Sequence, residues 1–98
     1  MVKHIVMWKL RAFDSGRERQ EAAEKIKSGL EALTGKVEGL QRAEVGINFN
    51  PAGYDLCLYT ELRDRAALDF YQDHPEHLKM KEYIHTVITE RVVCDWEC

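Results

Sequence analysis

Three side chains suited to moving protons near neutral pH fall close together: Tyr71, His74 and His77, in the run Asp69-Phe70-Tyr71-Gln72-Asp73-His74-Pro75-Glu76-His77. Imidazole has an ordinary pKa near neutrality, which makes His77 a natural general base. A tyrosine hydroxyl is a suitable donor to a carbonyl or to the oxygen of a developing enolate, which is the role open to Tyr71. A fourth group, His4, lies far away in sequence in the apolar opening Val2-Lys3-His4-Ile5-Val6-Met7-Trp8. Together these residue types could carry acid–base chemistry, although by themselves they name no reaction.

Geometry decides whether they can cooperate. On an unbroken helix each residue turns by about 100°, so Tyr71 and His77 would stand roughly 120° apart. Pro75 interrupts the helix and changes that angle. Structural roles compete with the chemical ones: His74 is placed to cap a helix begun by Pro75, His77 to bond a backbone carbonyl, and Tyr71 to pack in a core. His4, His74, Glu76 and His77 contain metal-binding donor types, but zinc needs three or four converging ligands with supporting partners. No metal and no cofactor are expected.

The positioning elements follow from periodicity. Residues 3–10 read as a strand with Val2, His4, Val6, Trp8 and Leu10 on one face and Ile5 and Met7 on the other. Ser15 and Glu18 have capping-box spacing, and Ala22, Ala23, Ile26, Leu30 and Leu33 form a helical stripe ending near Thr34-Gly35. Residues 41–49 and 54–62 read as a hairpin around Asn48-Phe49-Asn50-Pro51-Ala52-Gly53. Asp64 caps a second helix carrying Ala67, Leu68 and Tyr71. Pro75 opens a further helix to about residue 83 or 84, and residues 86–96 form a last strand.

The order is β-α-β-β-α-β, an α+β, ferredoxin-like arrangement with helices on one face of a four-stranded antiparallel sheet. A pocket between the His4, Val6 and Trp8 face and the second helix would place His4 near Tyr71 and His77. The other sheet face carries Ile5, Met7, Cys57, Tyr59, Val87 and Val93, an apolar patch too large for a monomer. A second copy packing sheet against sheet is the economical cover, so a homodimer is expected.

Composition bounds the rest. Ninety-eight residues, 45% hydrophobic and 32% charged, make a single domain over 1–98. The 14 basic and 17 acidic residues are interspersed, which disfavours nucleic acid as a partner. No apolar run is long enough to span a membrane, and the N-terminus lacks the pattern of a signal peptide, so a cytoplasmic location is expected. Cys57, Cys94 and Cys98 are widely spaced and odd in number, consistent with thiols in a reducing compartment.

The opening Val2 to Leu10, the segment Glu44-Val45-Gly46-Ile47-Asn48-Phe49, the His74-Pro75-Glu76-His77 element and the ending Val92-Val93-Cys94-Asp95-Trp96 together resemble the stress-responsive dimeric α/β-barrel family, Dabb. The resemblance spans nearly the whole chain and implies ferredoxin-type dimers whose sheets form a barrel. Most members have no assigned activity; a plant branch includes cofactor-independent polyketide cyclases, in which the second histidine of the motif is the base and the upstream tyrosine polarises the substrate. On this chain those roles fall to His77 and Tyr71, with His4 and His74 at the same pocket. Ala22, Ala23 and Ile26 stand where the cyclases carry bulkier lining, which implies a differently shaped pocket with Ile26 in its wall.

Two readings follow. One is a homodimeric stress-related domain that binds a small hydrophobic or aromatic carbonyl compound. The other is a cyclase-like enzyme using His77 and Tyr71. Oxygenation of the kind found in antibiotic-biosynthesis monooxygenase barrels fits less well, because the His-Pro-x-His element favours the stress-responsive branch. An open pocket reaching both His77 and Tyr71 discriminates them, and plugging by Trp8 or Leu78 would count against catalysis.

Overall fold

The computed structural model describes residues 1–98. Its elements are β1 (Val2–Leu10), α1 (Gly16–Glu31), β2 (Leu40–Ile47), β3 (Leu56–Leu62), α2 (Arg65–Asp73), α3 (Pro75–Val87) and β4 (Ile88–Glu97). The strands form one antiparallel sheet in the order β2-β3-β1-β4, the ferredoxin-like topology read from the sequence. Local chemistry starts the helices as expected. The Glu18 N–H donates to Ser15 Oγ at 3.1 Å, and the Ala67 N–H donates to Asp64 Oδ1 at 2.8 Å, each satisfying an orphan donor of a first turn.

Alternation along β1 and β3 builds the core. Val2, Val6, Trp8 and Leu10 pack with Leu56, Leu58 and Leu62 beneath Ala23, Ile26 and Leu30 of α1 and Ala67, Leu68 and Tyr71 of α2. Edge strand β2 is tied to α1 by Lys27, whose Nζ donates to the Val45 carbonyl, and by Glu31, which accepts from the Val45 N–H. Lys27 Nζ also donates to Glu31 Oε2 at 2.8 Å, and this bond, then that from the Val45 N–H, hold the Glu31 carboxyl below its ordinary pKa. Those contacts occupy backbone groups that an edge strand would otherwise leave free.

Several boundaries move, β2 among them, which ends at Ile47 rather than at residue 49. β3 begins at Leu56 rather than Tyr54, and α1 stops at Glu31, with the turn to Gly35 following it; Gly35 has φ +92°, the left-handed conformation expected of it. α3 continues through Val87, so β4 starts two residues later than the periodicity predicts. Val87 is consequently buried in the core at the end of α3 and not part of the outer sheet face. Val93 pairs with Val6 and therefore also points to the helical side.

The outer face is apolar nonetheless. Antiparallel register aligns Tyr59, Ile5 and Cys94 in one row across the sheet and Cys57, Met7 and Val92 in the next. No helix covers them, and Met7, Val92 and Trp96 are 38%, 43% and 41% exposed.

Candidate functional site

The break at His74-Pro75 sets the site. His74 has φ −63° and ψ 135°, the extended conformation favoured before proline, so α2 ends and α3 restarts on a new axis. The His77 ring thereby comes to lie 4.4 Å from the Tyr71 ring, centroid to centroid, at an interplanar angle of 39°. The His4 ring stands edge-on to Tyr71 at 6.2 Å. Tyr71, His77 and His4 thus form one cluster between the helices and the inner sheet face.

Each imidazole has a fixed partner. His77 Nδ1 lies 3.1 Å from the Gln72 carbonyl oxygen; because that oxygen only accepts, Nδ1 carries the proton and Nε2 keeps the basic lone pair. His4, almost wholly buried, bonds through Nδ1 to the Asp95 carboxylate on β4. Asp95 was not among the residues the sequence singles out. Only the β1–β4 register, which sets His4 opposite Asp95, reveals it.

Tyr71 is fully buried, and its hydroxyl has no hydrogen-bond partner. Burial raises its pKa, so it remains a neutral donor. Burial lowers the His77 pKa against the opposing bond from Gln72, with the positive fields of Lys81, His4 and Arg91 lowering it further. His77 is therefore an unprotonated base at neutral pH.

That shift gives a stability prediction. The unfolded chain takes up a proton on His77 at its ordinary pKa near 6.5, before the folded chain does. The contribution of neutral His77 is thus complete above about pH 6.5 and declines as pH falls toward the depressed folded value. Between about pH 7.5 and pH 5.5, wild type is expected to lose more melting temperature than His77→Gln; equal losses in the two proteins would show that His77 is not the group responsible.

A cavity of about 50 Å³ opens beside the cluster. Its inner wall is formed by the buried Val6, Trp8, Leu58 and Ile84 together with His4 and His77. Gln72, Lys81, His85 and Arg91 surround the mouth. Tyr71 is not in the lining, so the cavity reaches His77 but not both residues of the catalytic pair; Tyr71 stands against two residues that are in it. Ile26 lies wholly inside the core rather than on the cavity, because the stripe of α1 that carries it packs directly on the sheet. His74 also lies outside the lining. Its Nδ1 accepts from the Glu76 N–H at 3.1 Å, capping α3, and its ring packs on Phe70.

Trp8 fills part of the space without closing it, and Leu78 lies outside the lining. His4, His74, Glu76 and His77 do not converge as a metal-ligand set. A larger cleft of about 450 Å³ runs between α2 and the end of β4, but it is a surface groove in which Arg65 and Glu97 pair with each other, and no histidine lines it. The smaller cavity is the one that His4 and His77 line.

Comparison with known proteins fits this architecture. Residues 2–98 match the stress responsive A/B barrel domain, Dabb. The chain belongs to the Dabb family. An uncharacterised protein of Streptomyces coelicolor is 33% identical to it over 82 residues, 79% of each chain. A solved dimeric protein of unknown function with a ferredoxin-like fold, from Bacteroides fragilis, superposes with a TM-score of 0.91 at 33% identity, covering 99% of this Dabb chain and 95% of its own. Hydroxynitrile lyase from Passiflora edulis is 17% identical with a TM-score of 0.80, covering 97% of this chain and 90% of its own, a likeness of fold alone. No helix of the Dabb chain is long and apolar enough to cross a membrane.

Proposed function

We propose that this Dabb chain acts as a homodimer, each protomer of which binds a small carbonyl compound in the cavity between α3 and β1. One observation carries the reading: His4 and His77 form part of a single cavity wall, with the ring of Tyr71, whose hydroxyl is unpartnered, packed behind them. A ligand carbonyl oxygen would supply the acceptor that this hydroxyl lacks. Size restricts the ligand. An engineered cavity of about 150 Å³ binds benzene, so about 50 Å³ admits the end of a short aliphatic chain rather than an aromatic ring, with the rest of the ligand standing in the mouth. The apolar outer sheet face supports the dimer, as do the dimeric relatives.

The state of His77 favours a catalytic version of the same reading. A neutral imidazole with Nε2 free of the Gln72 bond is equipped to take a proton from the carbon beside a bound carbonyl, while Tyr71 donates to the enolate oxygen. Short ketones and oxo acids in deuterated buffer test both parts. Wild type is expected to be stabilised by at least one such compound and to speed its exchange of α-hydrogen for deuterium, read by proton NMR. His77→Ala is expected to reduce that exchange by about 10²–10⁴-fold. Stabilisation without accelerated exchange leaves a binding domain, and the absence of both removes the pocket reading.

A further inference from the structure

The mouth of the cavity carries charge that nothing in the chain neutralises. Lys81 projects from α3 one turn beyond His77, and Arg91 lies on β4 in register with Trp8. Most other cations of the fold have a carboxylate within reach: Lys9 pairs with Glu90, Lys27 with Glu31, Arg65 with Glu97 and Lys79 with Glu76. Lys81 and Arg91 pair with none, and no Asp or Glu lines the cavity. Asp95, the nearest carboxylate on β4's inner face, is engaged by His4. His85, four residues after Lys81 on the same helix face, adds a third nitrogen donor to the mouth.

We propose that Lys81 and Arg91 hold the carboxylate of the ligand, so that the compound bound in the cavity is a short-chain oxo acid. The inference rests on the pocket reading above and specifies its chemistry. A guanidinium presents parallel N–H donors that match a carboxylate, and a lysine ammonium at the same mouth adds a second charge-assisted bond. One carboxylate halves the uncompensated charge of the two cations at the mouth, whereas a neutral ligand would leave both without a counter-charge. The partition of the cavity fits such a molecule: the charged end sits at the exposed mouth, and its short apolar carbon chain and carbonyl enter between Trp8, Leu58 and Ile84 toward His77.

The test compares acetoacetate with its methyl ester, which has the same ketone but no charge, by following their effects on the Trp8 and His77 NMR signals. The proteins are wild type, Arg91→Gln and Lys81→Gln; both positions are exposed, so neither change is expected to disturb folding. Acetoacetate is expected to bind more tightly than the ester, to lose about tenfold in affinity in either variant, and to weaken as salt is raised. Arg91→Lys is expected to recover part of the loss. Equal binding of acid and ester, or acid binding unchanged in both Gln variants, overturns the proposal while leaving the pocket intact. Absence of any effect of either compound on Trp8 and His77 overturns both.

Discussion

Replacing Tyr71 by phenylalanine is expected to raise the melting temperature, the reverse of the usual outcome for a change at a fully buried position. The hydroxyl is enclosed without a partner, and an unsatisfied buried polar group of this kind costs roughly 1–3 kcal/mol. Phenylalanine keeps the ring, and with it the contacts to His4 and His77, and removes only the orphan oxygen. For a domain of this size each kcal/mol is worth about 4–8 °C, so the unliganded variant gains several degrees. The same change is expected to weaken a carbonyl ligand about tenfold, since the ligand loses the donor that the site holds unpaired. Differential scanning calorimetry with and without ligand measures both effects. A lower melting temperature for the phenylalanine variant would mean that the hydroxyl is satisfied, and the main argument for a carbonyl-binding pocket would fall with it. Stability withheld at a functional residue is a recurring feature of binding and catalytic sites.

A second large effect is expected at Met7→Asp. Met7 is at the centre of the row Cys57, Met7 and Val92 on the outer sheet face. In a two-fold dimer the substitution enters the interface twice, placing two unpaired carboxylates in an apolar contact. Burial of an uncompensated charge costs several kcal/mol, on the order of a thousandfold or more in dimer affinity. Sedimentation velocity at micromolar concentration is expected to show a dimer for wild type and a monomer for the variant. The variant's melting temperature also falls, because association stabilises the folded state by mass action. A variant that remains dimeric would place the interface elsewhere on the molecule.

Much of the fold was legible in the residues because the signals involved are short-ranged. Ser15 and Asp64 cap helices through bonds to N–H groups three residues away. The stripe from Ala22 to Leu30 and the alternation in β1 depend only on periods of 3.6 and 2. The boundaries at α3 and β4 were less legible. Thr86, Val87 and Ile88 have good strand propensity, but Val87 is drawn into the core as the last residue of a helix, and tertiary packing overrides the local preference.

The candidate site divides along the same line. The sequence by itself determined which proton-transfer groups exist, that Pro75 interrupts the helix between Tyr71 and His77, and that His4 shares an inward face with Val6 and Trp8. Only the tertiary structure decided the angle across that interruption, which stacks His77 on Tyr71 and turns His74 aside as a cap. It also withdrew Ile26 into the core, joined Asp95 to His4 across 91 residues, and set Lys81 and Arg91 at one mouth. The physical reason is that a side chain's direction is set by local backbone geometry, whereas its neighbours depend on strand register and helix packing, which no local pattern encodes.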